Sequence, residues 1–261
     1  MNPFTEMTME QVKNAAPSIF QTKQKANLSE HYVHIPTDKV ITDMIQLGWK
    51  PCQAVEIKAR KKSTKGYQRH MIKFFNPDIV IEGANGDNVY PQILLTNSHD
   101  GLSSFKFQIG LFRLVCSNGL VVMDTSYGDF KLRHMGYTFE ELQQKVSEAV
   151  GSFPGLVKKI NEFQNVELSD WQVSEFAGKA ALIRFGENVK VDIDKLLTVD
   201  RIEDSGNSLW EVFNRVQEKL INGDCSYTMG AKVRKARAIK NFSMDLKINE
   251  ALWELAEEYV K

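Results

Sequence analysis

Residues 105–123 read FKFQIGLFRLVCSNGLVVM, and this stretch decides the fold class. Two runs rich in Phe, Val, Ile and Leu flank the dipeptide Asn118-Gly119. Asn-Gly between apolar runs is the strongest short-range signal of a β-hairpin, because both residues tolerate the positive φ that a tight turn needs. The stretch therefore predicts two antiparallel strands joined by a turn.

The residues before and after this stretch continue the strand pattern. Residues 54–60 alternate between apolar and polar side chains, residues 67–75 are again strand-like, and 130–132 form a further short apolar run. Asp100-Gly101 marks another turn between two such runs. We therefore expect a largely antiparallel sheet over about 50–134.

The remainder of the chain has helical periodicity. Three Ser/Thr-x-x-Glu/Gln capping boxes precede apolar runs of helical spacing, and such boxes mark helix N-termini. They are formed by Thr138 with Glu141, Ser169 with Gln172, and Ser208 with Glu211. Strands first and helices afterwards predict an α+β protein, in which the sheet is backed and followed by helices at about 138–260.

The domain organisation follows from the same patterns. Residues 1–30 are polar with little periodicity, apart from one short helix that a box of Thr8 and Gln11 could begin. We expect a loosely attached N-terminal arm over 1–30 and a single α+β domain over 31–261, sheet-rich over 50–134 and helical over 138–261.

Composition excludes several classes of protein. The chain has 261 residues, of which 43% are apolar and 25% charged, as in ordinary globular proteins. It lacks the roughly 18 consecutive apolar residues of a membrane helix, and its N-terminus lacks the apolar segment of a signal peptide. Three widely spaced cysteines, Cys52, Cys116 and Cys225, argue against a disulfide framework. We expect a cytoplasmic protein with three reduced thiols and no membrane partner.

The charges balance overall but are separated along the chain. Thirty-three basic and 33 acidic residues give zero net charge, yet two segments hold cations and no acid. The first basic segment, 58–73, contains Lys58, Arg60, Lys61, Lys62, Lys65, Arg69 and Lys73. The second basic segment, 232–240, contains Lys232, Arg234, Lys235, Arg237 and Lys240. Such segregation creates local positive fields that a neutral total conceals.

Polar residues with catalytic or ligand-binding chemistry concentrate in the sheet half. Strand ends should bring them together, and Arg113, inside an apolar run, needs either Asp100 or a bound anion as its partner. This predicted polar cluster comprises His70, Asn97, His99, Asp100, Arg113, Asn118, Arg133 and His134.

A metal site is one alternative interpretation of this cluster. His70, His99, Asp100 and His134 are ligand types that zinc or manganese accepts, although their spacing does not require them to converge. The alternative is that each imidazole satisfies backbone groups of its loop. No cofactor is predicted otherwise, because the chain lacks P-loop, G-x-G-x-x-G, H-E-x-x-H and G-x-S-x-G motifs.

The central segments of the chain resemble a known family. They are 97–101 (NSHDG), 110–119 (GLFRLVCSNG) and Arg133-His134, supported by Arg69-His70, Leu209-Trp210, 214–218, Asn249 and Leu252-Trp253. Together these segments resemble the domain of unknown function 932 family over roughly 45–260. The resemblance implies a phage- or plasmid-like protein of a mobile genetic element in a bacterial host cell, and it implies no settled activity.

The basic segments then favour one function over two others. A basic hairpin carrying Tyr67, Phe74 and Phe75 offers cations for phosphate and rings for base stacking, so we expect binding to single-stranded or recombining DNA without sequence specificity. The alternative for Phe74 and Phe75 is a place in the core, where such rings are more often found. The alternatives are a metal-dependent enzyme acting on nucleic acid or nucleotides, and a protein–protein module directed at a host defence factor. A homo-oligomer and a host protein are further partners that the sequence leaves open.

Overall fold

The computed structural model describes residues 4–26, 28, 32–59, 61–81, 88–113, 119–120, 130–131 and 137–260. The chain divides into two compact units. The first, here called the sheet unit, comprises residues 1–114 and 125–153, and the second, the helical unit, comprises 115–124 and 154–261. The expectation of a single domain over 31–261 stays a prediction.

An antiparallel sheet forms the centre of the sheet unit, as the sequence predicts. Its strands follow the order β1-β2-β3-β4, and the short β6 also pairs with β4. The chain's strands up to this point are β1 (Lys50–Glu56), β2 (His70–Phe75), β3 (Val89–Asn97), β4 (Lys106–Arg113), β5 (Gly119–Leu120) and β6 (Phe130–Lys131). All nine residues of β3 are buried, so this strand lies inside the unit's core.

The N-terminal segment is packed where the sequence predicts a loose arm. Helix α1 (Met9–Ala15) begins at the expected capping box, and Val12, Ala16 and Ile19 are fully buried. The amide of Met7 donates to the carbonyl of Pro51 on β1 at 2.7 Å. Three buried apolar residues are too few to produce a periodic pattern, which is why the sequence does not reveal this packing.

The sheet unit contains a second short helix, and the helical unit contains most of the others. They are α2 (Thr37–Gln46), α3 (Phe139–Asn165), α4 (Asp170–Phe185), α5 (Ile193–Leu197), α6 (Leu209–Asn222) and α7 (Phe242–Glu258). The capping boxes at Ser169 and Ser208 are both complete, with reciprocal hydrogen bonds, and they confirm the predicted starts of α4 and α6. The antiparallel sheet and these helices together confirm the α+β class.

A small antiparallel sheet interrupts the region predicted to be helical. It has the order β7-β8-β9, with β7 (Lys190–Val191), β8 (Ser226–Met229) and β9 (Lys232–Lys235). The wholly helical expectation for 138–261 is therefore wrong over these segments. Its cause is physical: β8 and β9 have four residues each, and β9 is exposed throughout, so no buried face produces an apolar alternation.

Two of the three cysteines lie among the described residues, and both are free thiols. Burial raises the pKa of Cys52 to about 12. Cys116 lies outside the described residues. In the part of the chain that the structure describes, no helix has both the length and the apolar character needed to cross a membrane.

Candidate functional site

Three members of the predicted polar cluster meet at one end of the sheet. His70 opens β2 and lies opposite Asn97, the last residue of β3, and the His99 ring lies 5.1 Å from the His70 ring between centroids. All three side chains are completely buried. Thr37, the first residue of α2, joins them and was not predicted as a member.

A chain of hydrogen bonds connects these side chains. The Asn97 amide donates to Thr37 Oγ1 at 3.0 Å, and Thr37 Oγ1 lies 3.0 Å from His70 Nε2. His70 Nδ1 lies 3.2 Å from the carbonyl of Gln68, which can only accept. We therefore assign the proton to Nδ1, so that Nε2 accepts from the Thr37 hydroxyl.

Burial of this network keeps it neutral. The loss of hydration lowers the pKa of His70 to about 4, against the weaker opposing effect of its hydrogen bond to Gln68. Both ring nitrogens are engaged by protein groups, including Ser18 Oγ at 3.1 Å from Nδ1. The network joins α2 to the ends of β2 and β3, which is a structural role.

Asp100 and Arg113 do not join this cluster. The Asp100 carboxylate accepts from the Ser98 hydroxyl and the Leu102 amide within its own loop, at 2.8 and 3.0 Å. Arg113 pairs with Val89 at the opposite end of the β3–β4 ladder, roughly 23 Å along the strand at ~3.3 Å per residue. The register thus separates the Arg113 backbone from both the cluster and Asp100, contrary to the expectation that strand ends bring them together, because the length of β4 lies between them.

The other predicted members, Asn118, Arg133 and His134, lie outside the described residues. Among the residues that the structure does describe, no group of three His, Cys, Asp or Glu side chains could hold a metal ion. Among the described members of the proposed ligand set, His70 and His99 come together and Asp100 does not join them.

The first basic segment forms the connection between β1 and β2. Lys58, Lys61, Lys62 and Lys65 are exposed, while Arg69 and Lys73 are partly buried, and Arg60 lies outside the described residues. Phe74 and Phe75 belong to the core, with 0% and 4% exposure, so the core alternative holds for both and their rings are not available for base stacking. Sequence periodicity does not reveal this position, because β2 is buried on both faces and therefore lacks an apolar–polar alternation.

The second basic segment borders an open groove of about 710 Å³ in the helical unit, here called the basic groove. Five cations line this groove, and the described lining contains neither Asp nor Glu. The lining side chains are Arg184 and Phe185 at the end of α4, Tyr227 on β8, Arg234 and Lys235 on β9, Ala236, Arg237, Ala238, Ile239 and Lys240 in the following loop, and Asn241 and Met244 at the start of α7. Lys232 is exposed on the same strand, β9, but is absent from this lining.

Two aromatic rings occupy one part of the basic groove. The Phe185 and Tyr227 ring centroids lie 5.1 Å apart, with the planes inclined at 35°. The Arg184 guanidinium lies 4.8 Å from the Phe185 ring, and its Nη2 donates to the carbonyl of Arg237 at 2.5 Å. Partial burial lowers the pKa of Arg184 from its usual value, and the nearby Cys225 opposes this shift.

Backbone contacts fix the loop that carries Arg237. The amide of Ala236 donates to Cys225 O and the amide of Ile239 donates to Ile221 O, both at 2.9 Å. Gly223 ends α6 with φ 76°, and a Cβ at this position would lie 2.5 Å from the carbonyl carbon of Arg237. The close approach of these two backbones requires glycine, and it holds the loop against the end of α6.

A polar contact between two helices also positions the groove. The Gln217 amide on α6 donates to Asn249 Oδ1 on α7 at 2.8 Å, and both side chains are buried. Both residues are among those that carry the family resemblance. Their role is to hold α6 and α7 together, and the N-terminus of α7 reaches the groove through its N-cap, Asn241.

Sequence reasoning found four of the groove's cations and missed its other chemistry. Arg184 and Phe185 are distant along the chain from the second basic segment, and Tyr227, although close to it, carries no charge. A ring at the end of an amphipathic helix is more often part of a core, and only the tertiary fold places Phe185 beside Tyr227. No local pattern could have indicated this pair.

Acidic side chains near the groove are few among the described residues. Asp224 lies 3.9 Å from Lys235 Nζ, and both side chains are largely exposed. Exposed pairs of this kind contribute ~0–1 kcal/mol and are screened by salt. The positive field of the groove is therefore reduced but not cancelled.

Comparison with known proteins gives a family and two relatives. The model of the family described as "Domain of unknown function (DUF932)" matches residues 26–253. The UPF0380 protein YafZ of Escherichia coli (strain K12) is 32% identical over 253 residues, 96% of this chain and 90% of the relative. The UPF0380 protein YfjQ of the same strain is 32% identical over 255 residues, with the same coverage. No solved structure has significant similarity.

Proposed function

The chain belongs to the domain of unknown function 932 family, and we propose that it binds DNA without sequence specificity through the basic groove. One observation carries this proposal: five cations line a single open groove whose described lining has no carboxylate. Cations held close together repel one another unless an anion is near. A polyanion removes this repulsion.

Phosphate is the anion that suits this lining. The guanidinium groups of Arg234 and Arg237, both exposed in the groove lining, can each donate two parallel hydrogen bonds to one phosphate. The N-terminus of α7 adds a partial positive charge beside Asn241. None of these groups reads a base edge, so the expected binding depends on the backbone and not on the sequence.

The first basic segment supports the same function as a second, independent surface. Lys58, Lys61, Lys62 and Lys65 are exposed, and no ion pair to another described residue is seen for them. These lysines lie on the loop that connects β1 and β2. We therefore expect it to add to affinity through weaker and more mobile phosphate contacts.

A triple substitution tests the proposal. In titrations of a labelled oligonucleotide at ~50 mM salt, Arg234→Ala, Lys235→Ala and Arg237→Ala together should weaken binding to every sequence by a similar factor. The matched control replaces Lys23, Lys158 and Lys247, three exposed lysines outside the groove lining, and should retain most of the affinity. Equal losses in both triples would reject the groove as the binding site.

The metal-dependent enzyme is less well supported as a second function. His70 is buried with both ring nitrogens engaged, and the Asp100 carboxylate is occupied by its own loop. A role in phages, plasmids or other mobile elements suits DNA binding and belongs to the same proposal. This role would be tested by recovering the protein with the DNA of such an element, by crosslinking, while the element replicates or is transferred.

A further inference from the structure

The ring pair in the basic groove has no part in phosphate binding, and it suggests what form of DNA enters. We infer that the groove takes single-stranded in preference to duplex nucleic acid, with a base stacked against Phe185 and Tyr227. This inference rests on the proposed function and names its ligand class. Tyr227 and Phe185 then become specificity-determining residues.

Burial distinguishes these two rings from the rings of the core. Phe176 and Phe213, from the same helical unit, have 0% and 1% exposure. Phe185 and Tyr227 are only partly buried and line the groove. A ring that serves only the core would be covered, whereas these two keep surface on the cavity side.

A cation stands beside each of the two rings. Tyr227 on β8 lies directly opposite Arg234 on β9 in the strand register, so a ring and a guanidinium stand side by side. Arg184 and Phe185 repeat this combination at the end of α4. Tyr227 is therefore accompanied by a cation that can contact the phosphate next to a stacked base, whereas the Arg184 guanidinium lies over the Phe185 ring and is bonded to the loop.

The size of the groove favours a short piece of single strand. Its volume of about 710 Å³ lies within the ~300–1,000 Å³ that ligand sites usually occupy. Bases in a duplex are stacked on one another and expose only their edges, so they cannot offer a face to the rings without unstacking. Both forms carry phosphates, so the rings alone would discriminate between them.

Tyr227 substitutions measured with two DNA forms test the inference. The probes are a mixed-sequence labelled oligonucleotide and its blunt duplex, titrated under the same low-salt conditions. Tyr227→Ala should weaken single-strand binding by roughly 5- to 150-fold, the equivalent of ~1–3 kcal/mol per stacked base. Duplex binding should change by less than about twofold, and Tyr227→Phe should retain single-strand affinity because the ring face remains.

A second variant guards against a loss of folding. Tyr227→Leu keeps apolar bulk without an aromatic face, so it should reproduce the single-strand defect while the thermal unfolding midpoint stays near that of the wild type. Equal loss for both DNA forms, or unchanged single-strand binding, would overturn the inference. The proposed function would still stand if the combined Arg234→Ala, Lys235→Ala and Arg237→Ala substitution weakened the binding of both DNA forms. Absence of binding by the wild-type protein to either form would overturn both.

Discussion

The polar cluster of the sheet unit and the basic groove of the helical unit differ in the burial and the partners of their polar side chains. His70, Asn97 and Thr37 are fully buried, and they form hydrogen bonds with one another and with neighbouring protein groups. The groove's cations Arg234, Lys235 and Arg237 are exposed and face no carboxylate in the described lining. A satisfied, buried network stabilises a fold, whereas an unbalanced, open one is available to a ligand.

The sequence hypotheses already place DNA binding ahead of a metal-dependent enzyme, and this contrast moves the emphasis from the first basic segment to the groove. The histidines and Asp100 are the residue types that catalysis uses most often, and the second basic segment has the appearance of ordinary solvated charge. Burial and partner geometry decide otherwise. The comparison makes separate predictions for each region, because changes in the cluster should affect stability and changes in the groove should affect binding.

The largest expected effect is the acid sensitivity of the buried cluster. The pKa of His70 is about 4 in the folded protein and ~6.5 in an unfolded chain, so the unfolded state binds one more proton between these values. The free energy of unfolding should be highest above pH 6.5 and should fall by about 3 kcal/mol as the pH drops to 4. Denaturant titrations across this range measure the fall.

A variant without the imidazole isolates the contribution of His70. His70→Gln cannot titrate in this range, so its unfolding free energy should depend on pH less steeply by about one proton. The same slope in the variant and the wild type would show that His70 is not the responsible group.

The next largest effect concerns the hydroxyl that links His70 to Asn97. Thr37→Val preserves shape but leaves His70 Nε2 and one donor of Asn97 without this partner, which should lower the unfolding free energy by about 2–3 kcal/mol. Thr42→Val is the matched control, because Thr42 is exposed on the same helix, α2. Its change should stay within ~0.5 kcal/mol. Similar losses in both variants would contradict a structural role for the network.

Much of the fold follows from the sequence, and the reasons are local. Asp100-Gly101 correctly predicts the turn between β3 and β4, with Gly101 at φ 76°, and the boxes at Ser169 and Ser208 correctly predict helix starts. Each feature depends on neighbouring residues, so periodicity and turn chemistry are sufficient to find it.

The candidate site could be predicted only in part, because its chemistry is tertiary. The second basic segment is visible as charge, but its strand β9 lacks an apolar alternation, and Phe185 reaches the groove only through the packing of α4. The cluster gives the converse error: strand-end residues suggested convergence, whereas the register places Arg113 at the other end of the sheet. Register and burial are properties of the whole unit.

A glycine prediction sharpens the comparison within the helical unit. Gly223→Ala would place a Cβ 2.5 Å from Arg237 C at a positive φ of 76°, so the loop must move. We expect a loss of about 2 kcal/mol in unfolding free energy and weaker DNA binding, since this loop carries groove cations. The control is Gly178→Ala, which meets no atom within 4 Å and should stabilise α4 by ~0.5–1 kcal/mol. A neutral Gly223→Ala would contradict the close backbone contact.

The smallest effect should come from the exposed lysines of the first basic segment. Lys61→Ala, Lys62→Ala and Lys65→Ala together should leave the unfolding midpoint unchanged, because none of the three is buried. Affinity for all DNA sequences should fall by no more than about tenfold, and by less than in the groove triple. A larger loss here than in the groove would transfer the main binding surface to the sheet unit.

The salt dependence of binding tests the central claim most directly. Each phosphate that a cation neutralises on a single strand contributes about 0.7 to the slope of log K against log salt. Between ~50 and ~200 mM salt, replacing Arg234, Lys235 and Arg237 by alanine should therefore flatten the wild-type slope by about 2. An unchanged slope in this variant, with a wild-type protein that does bind DNA, would show that the basic groove does not contact the phosphates.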